Sequence, residues 1–125
     1  NYRMPNINAA LGCAQLENLD RYVADKRETA ARYAEFFKGK EDITFFTEPA
    51  DCKSNYWLNA VVLKDKAAQL DFLEYTNDHG VMTRPVWELM NRLPMFEHCE
   101  TDGLENTEWL ADRVVNIPSS VRLDK

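Results

Sequence analysis

Glycine is scarce in this sequence, with four residues in 125, and glycine-rich phosphate loops are absent. The chain also lacks the serine-hydrolase elbow and the paired-histidine helix of zinc proteases. Basic residues form no run and the net charge is −6, which argues against nucleic acid as a partner. No apolar run approaches the roughly 18 residues of a membrane-spanning helix. We therefore expect neither a nucleic acid nor a membrane among its partners.

Cysteine is also sparse, and its spacing is uninformative for metal or disulfide chemistry. Cys13, Cys52 and Cys99 are odd in number and far apart, and they form no CxxC pair. This usage fits a reducing compartment, and no signal peptide is visible, so we predict a cytoplasmic protein. His79 and His98 have no partner at ligand spacing, so we predict no metal site.

The first third of the chain predicts one long helix over residues 7–37. Apolar residues recur there at spacings of three and four, and no proline interrupts them. Asn6 is a suitable N-cap, and Gly39 lies where a helix end favours glycine. At 1.5 Å per residue the helix would be about 45 Å long. A chain of this size cannot cover such a helix. We therefore expect the first half of the helix to pack on a surface outside this chain. The chain, which starts without Met, is expected to be a fragment of a larger protein.

The remaining residues predict short strands alternating with helices. The predicted strands are residues 43–46, 55–63, 81–86 and 114–117. Asp65 is expected to cap one helix, Asn106 or Thr107 another, and residues 88–98 are irregular or hold one short helix. Pro85 favours an edge position for its strand. This order predicts one domain over residues 1–125, of α/β class with an α+β-like arrangement. It is a small, largely antiparallel sheet with helices on one face, plus the long N-terminal helix.

Two segments carry side chains suited to binding. Residues 1–6 (NYRMPN) place an amide and a guanidinium beside a helix N-terminus, which suits an anion such as phosphate. The alternative is a lead-in that only caps the helix. Residues 83–94 (TRPVWELMNRLP) place two arginines, a Trp and an Asn in a loop after a strand, where binding sites are frequent. The alternative there is a packed Trp beside solvated arginines.

Three motifs resemble those of one enzyme family. Residues 1–12 (NYRMPNINAALG), 83–87 (TRPVW) and 115–120 (VNIPSS) are similar, in order and spacing, to the DegT/DnrJ-type nucleotide-sugar aminotransferases. The similarity extends over nearly the whole chain. It implies the C-terminal domain of a fold-type I enzyme dependent on pyridoxal phosphate (PLP). The branch that it most resembles acts in legionaminic-acid-type surface-sugar pathways.

The resemblance also implies a homodimer in which two subunits build each active site. Asn1 would reach the phosphate of the neighbouring subunit's PLP, and Arg3 would contact the nucleotide sugar across the same interface. Arg84, Trp87 and Asn91 are expected on the substrate side. Asn91 stands where many relatives have a histidine, and an amide can form hydrogen bonds but does not titrate near neutral pH.

The lysine that holds PLP lies upstream of the opening motif in such enzymes, so none of the seven lysines here is expected to be catalytic. The implied reaction transfers an amino group from glutamate to a keto-sugar nucleotide. The chain alone is expected to be inert. Two alternatives stay open. Relatives with a histidine in place of that lysine are sugar dehydratases dependent on pyridoxamine phosphate. A different class is a binding or oligomerisation module without catalysis.

Overall fold

A computed structural model describes residues 2–122 of the chain. The helices in this range are α1 (Asn6–Leu16), α2 (Leu19–Phe37), α3 (Lys66–Asp78) and α4 (Glu105–Ala111). The strands are β1 (Ile43–Phe45), β2 (Asn59–Leu63), β3 (Arg84–Pro85) and β4 (Val114–Ile117). A single 3₁₀ turn, Met90–Arg92, lies in the loop between β3 and α4.

The prediction of one uninterrupted N-terminal helix is wrong, because the helix breaks between Leu16 and Leu19. At the break the side-chain nitrogen of Asn18 donates to the carbonyl oxygen of Ala14 at 3.0 Å. Asparagine disfavours helix interiors because its amide competes with the backbone for such partners. The N-cap prediction is also wrong: Pro5 occupies the cap position, and no side chain caps α1.

The four strands form one antiparallel sheet with the order β1-β2-β4-β3. The predicted fold class is therefore confirmed, and β3, which contains Pro85, lies at an edge as proline requires. The strand predicted at residues 55–63 begins only at Asn59, because Tyr56 has a positive φ of 47° that breaks the extended backbone. The strand predicted at residues 81–86 is reduced to the two residues of β3.

Two of the predicted helix caps have different outcomes. The Asp65 carboxylate accepts a hydrogen bond from the backbone N–H of Ala68 at 2.9 Å, which confirms it as the cap of α3. Neither Asn106 nor Thr107 caps α4, since both lie within the helix and Leu104, with a φ of 54°, precedes it. A left-handed backbone at this position starts the helix earlier than the cap residues indicated.

The core lies on the face of the sheet that α2 and α3 cover. Val61 and Val115 are paired neighbours of β2 and β4, and both are fully buried. Ala30 of α2 packs into the same cluster, and Phe72 and Leu73 of α3 lie against it. Helices and strands therefore share a single hydrophobic core.

Polar contacts attach the helices to that core. Gln69 of α3 is completely buried, and its side-chain nitrogen donates to the carbonyl oxygens of Ala111 and Val114, both at 2.9 Å. Arg27 of α2 forms two hydrogen bonds with the carboxylate of Glu48, at 3.0 and 2.7 Å. These contacts fix α3 to the turn before β4 and α2 to the loop after β1.

Helix α1 is the exception, because none of its residues is buried against the rest of the described chain. Ile7, Leu11 and Leu16 are all more than half exposed. Helix α2, in contrast, packs on β1 through the ring of Tyr33, whose centroid lies 6.0 Å from that of Phe45. No helix within residues 2–122 is both long and apolar enough to cross a membrane.

Candidate functional site

Strand β3 and the loop between β3 and α4 carry three of the predicted substrate-side residues. Arg84 lies in the edge strand β3, opposite Asn116 of β4, and its side chain is exposed. Its guanidinium approaches the sulfur of Met82 at 3.5 Å. Trp87 follows the strand and is 75% exposed, so the alternative that it packs in the core is wrong. An aromatic surface this open is available to a partner or ligand.

Asn91 lies in the 3₁₀ turn and is held by α4. Its side-chain nitrogen donates to one carboxylate oxygen of Glu108 at 3.3 Å. The other oxygen of Glu108 accepts a 2.9 Å hydrogen bond from Arg92. Arg92 also lies 3.7 Å from the carboxylate of Glu88. The turn is thus joined to α4 by one carboxylate that accepts hydrogen bonds from both an amide and a guanidinium.

These contacts stabilise the charged forms of both Glu108 and Arg92. The hydrogen bond from Arg92, followed by that from Asn91, lowers the pKa of Glu108 below its usual value. The same carboxylate raises the pKa of Arg92. Glu108 is therefore ionised at neutral pH and acts only as an acceptor.

A pocket of about 640 Å³ opens beside this turn. Asn91 lines it together with Met90, Phe96, Leu104 and Thr107. Three acidic residues, Glu88, Glu100 and Asp102, also line it, and among the described residues no lysine or arginine does. Its size is in the range of small-molecule sites. The acidic lining disfavours a phosphate.

The predicted site residues do not converge within the described chain. Of those residues, only Asn91 lines the pocket, while Arg84 lies in β3 and Trp87 in the loop between β3 and the 3₁₀ turn. Arg3 is exposed ahead of α1, and within residues 2–122 no hydrogen bond or ion pair joins it to the other three. Asn1 lies outside the described residues. A site that uses all of them would need a second surface to bring them together.

The described lysines are not arranged to hold PLP. Lys26, on α2, donates to the carbonyl oxygen of Ser119 at 2.5 Å, and Lys66 donates to Gln69 at 2.8 Å. Lys38 and Lys64 form surface ion pairs, and Lys40 lies over a phenylalanine ring. Lys53 is exposed on the loop between β1 and β2. None of them lines the pocket beside Asn91. The lysines within residues 2–122 therefore do not form a Schiff-base site.

Metal chemistry has no candidate ligand set in the part of the chain that the structure describes, where no three His, Cys, Asp or Glu side chains group suitably. Cys13, Cys52 and Cys99 are free thiols, and all three are exposed. Cys99 lines the pocket beside Asn91.

Sequence reasoning missed Glu108 and the wall of the pocket formed by residues 96–107. Glu108 is 17 positions from Asn91, and nothing in the local pattern of α4 distinguishes it from a solvated helix charge. The pocket wall has no periodicity to read, since it is irregular from Phe96 to the start of α4. Only the packing of α4 against the 3₁₀ turn makes these residues part of a site.

The chain is 32% identical to the putative pyridoxal phosphate-dependent aminotransferase EpsN of Bacillus subtilis, over 95% of the chain and 32% of the relative. It is 30% identical to the GDP-perosamine synthase of Escherichia coli O157:H7, over 95% of the chain and 32% of that protein. The chain thus spans about a third of the length of these curated relatives.

A solved structure shares the same fold. The aminotransferase TlmJ of Streptoalloteichus hindustanus superposes with a TM-score of 0.85 at 22% identity, over 95% of this chain and 32% of that one. The family model of the DegT/DnrJ/EryC1/StrS aminotransferases matches residues 1–125. The resemblance to this family is therefore confirmed, and the chain belongs to the DegT/DnrJ/EryC1/StrS aminotransferase family.

Proposed function

We propose that this chain is the C-terminal small domain of a PLP-dependent aminotransferase that transfers an amino group from glutamate to a keto-sugar nucleotide. The observation that carries the proposal is the family match over all 125 residues, combined with relatives named as aminotransferases that are about three times as long. The absence of a suitable lysine within residues 2–122 supports a division of labour. The PLP-binding lysine would come from the rest of the protein, and this domain would supply substrate contacts.

Exposure of α1 supports a homodimeric enzyme. A helix with no buried residue and several exposed apolar side chains is expected to pack on another surface. In our proposal that surface is the large domain and the neighbouring subunit. Asn1 would then donate a hydrogen bond to the phosphate of the neighbour's PLP. Arg3, exposed just before α1, would offer its planar guanidinium to the nucleotide sugar.

We also propose a pathway and a cellular compartment for this enzyme. Relatives named as GDP-perosamine synthases support an amino-sugar product, and we propose that this product serves surface polysaccharides. Within the sugar aminotransferase family we propose the legionaminic-acid-type branch, because of the motifs at residues 1–12, 83–87 and 115–120. Three exposed free thiols fit a reducing cytoplasm, where nucleotide sugars and glutamate are available.

Activity of the complete protein tests the proposal. The protein, loaded with PLP, is given glutamate with UDP-, GDP- and dTDP-linked 4-keto-6-deoxy sugars in turn. We expect 2-oxoglutarate and one amino sugar, in equal amounts, from at least one of the three. Loss of a sugar oxygen without amino transfer would instead identify a dehydratase, whose fold this chain also shares. Binding of none of them would favour the oligomerisation module.

Arg3→Lys tests the proposed contact with the nucleotide sugar. A lysine keeps the charge but loses the two-pronged geometry, so the KM for the keto-sugar nucleotide should rise about tenfold. The half-reaction with glutamate should stay within about twofold of the wild type. Stopped-flow absorbance separates the two half-reactions. An equal loss in both, with dissociation of the dimer, would show that Arg3 only stabilises the interface.

The shared site is tested by mixing two impaired variants of the complete protein. Asn1→Ala should weaken PLP retention about ten- to a hundredfold, since a hydrogen bond to a charged acceptor contributes roughly 1.5–3 kcal/mol. Combined with a variant lacking the PLP lysine, it should regain activity, because one site of each mixed dimer has both residues intact. Mixed dimers that form but stay inactive would reject the role of Asn1 across the interface.

A further inference from the structure

The amide of Asn91 has a defined orientation, because its hydrogen-bond partner accepts only. A carboxylate offers no proton, so the side-chain nitrogen of Asn91 must face Glu108, to which it donates at 3.3 Å. The carbonyl oxygen of the amide is left for other partners. Among residues 2–122, no donor forms a hydrogen bond with it. Because Asn91 lines the 640 Å³ pocket, the side chain can offer an acceptor there.

The charges around the pocket restrict what that acceptor can bind. Glu100 and Asp102 line the same pocket, and each would repel a phosphate group, whereas the charge of Glu88 is offset by Arg92 at 3.7 Å. Arg92 is not available to offset Glu100 or Asp102, since its guanidinium is engaged by Glu108 at 2.9 Å and Glu88 at 3.7 Å. The apolar part of the lining, which includes Phe96 and Leu104, suits a ring. Of the parts of a nucleotide sugar, an uncharged ring that carries hydroxyl or N–H donors therefore fits this pocket better than the diphosphate does.

We propose that Glu108 is a positioning residue that turns the Asn91 carbonyl oxygen toward a hydroxyl or N–H donor on the sugar ring, an uncharged part of the nucleotide sugar. Glu108 does not touch the substrate itself. It acts by holding the amide nitrogen of Asn91 and the guanidinium of Arg92 at one carboxylate, which also fixes the 3₁₀ turn to α4. This inference rests on the proposed function and names the part of the substrate that the pocket takes.

Glu108→Gln, made in the complete protein, is the direct test. The side chain keeps its size, but its amide can donate as well as accept, so Asn91 is no longer held in one orientation. The KM for whichever of the UDP-, GDP- or dTDP-linked keto sugars is turned over should rise about three- to tenfold, as for the loss of one hydrogen bond. The glutamate half-reaction should stay within about twofold. Glu105→Gln is the control, because it removes an exposed carboxylate from the same helix outside the pocket.

A double variant separates positioning from general stability. Asn91→Leu removes the acceptor and should raise the same KM by a similar factor. Adding Glu108→Gln to Asn91→Leu should then have no further effect, because the residue through which Glu108 acts is gone. If the rises in KM of the two single variants multiply in the double variant, or if both half-reactions fall equally, the positioning role of Glu108 is overturned.

The outcomes also distinguish this inference from the proposed function. A wild-type protein that aminates one keto-sugar nucleotide, with a Glu108→Gln variant of unchanged KM, would reject only the role of Glu108. A wild-type protein inactive with all three nucleotides would reject the proposed function and this inference together. Calorimetric titration of the variants with the corresponding sugar-free nucleoside diphosphates adds a second readout. If the pocket takes the sugar ring, the affinity for the free diphosphate should be the same in Glu108→Gln and wild type. A loss of diphosphate affinity in Glu108→Gln as large as the rise in KM would overturn the assignment of the pocket to the sugar ring.

Discussion

Glu48 is the side chain on which the loop after β1 depends. Its carboxylate accepts two hydrogen bonds from Arg27 and one from the backbone N–H of Ser54. Tyr56 lies under the Arg27 guanidinium, 5.6 Å from it, and its hydroxyl accepts from the backbone N–H of Glu48. The positive φ of Tyr56 is therefore held by contacts on both sides of the loop. The hydrogen bonds from Arg27, followed by that from Ser54, lower the pKa of Glu48 from 4.5 to about 2.

A lowered pKa makes stability depend on pH in a defined direction. The contribution of Glu48 to the stability of the folded protein is fully present above its unfolded pKa of 4.5. It is lost as the pH falls toward the folded pKa of about 2. Glu48→Gln should therefore lower the melting temperature at neutral pH, and the difference from wild type should shrink near about pH 3. Thermal unfolding of both proteins over this range measures it. Glu35→Gln, which alters an exposed pair with Lys38, is the control and should change little at any pH. A difference for Glu48→Gln that is constant with pH would contradict the assignment.

At the scale of elements, Gln69 connects α3 to the turn between α4 and β4. Its side chain is fully buried and gives its two N–H groups to the carbonyl oxygens of Ala111 and Val114. Gln69→Leu preserves most of the volume but leaves both carbonyls without a donor. We expect a loss of about 2–4 kcal/mol in the free energy of unfolding, measured by denaturant titration. Gln15→Leu, on the exposed surface of α1, should change it by less than about 0.5 kcal/mol. Equal losses in the two variants would contradict this role.

The elements themselves show how far the sequence predicts this fold. Strand β4 was predicted with its observed bounds, and the Asp65 cap with its observed bond, because alternating apolar residues and capping chemistry are local signals. The break at Asn18 and the late start of β2 were missed. Both depend on side-chain contacts that periodicity does not register, the Asn18 amide in one case and the loop around Tyr56 in the other.

The candidate site was less predictable than the fold for a similar reason. The motif around Asn91 indicated a binding loop, and the structure gives that loop a pocket. The pocket wall and Glu108 come from a segment that is distant in sequence and irregular in structure. Contacts of this kind follow from tertiary packing, which no local pattern encodes.

At the scale of the whole molecule, the apolar surface is divided unequally. Helices α2 and α3 share one core with the sheet, whereas α1 buries none of its residues. Ile7 is 81% exposed and Leu11 62%. An isolated helix of 11 residues is marginal in water, so α1 should be stable only where another surface covers it. In the proposed enzyme, that surface belongs to the rest of the protein.

Hydrogen exchange measured by mass spectrometry tests this division. In the isolated 125-residue chain, the amides of α1 should exchange close to the rate of an unstructured peptide, because local opening of an unpacked helix costs little. In the complete protein, the same amides should be protected at least about tenfold more. Helix α3, which packs on the sheet in either case, is the internal control and should be protected similarly in both samples. Protection of α1 in the isolated chain that rises with concentration would mean that copies of the chain cover each other. Strong protection that persists on dilution would contradict the expectation, because α1 would then be stable without a covering surface.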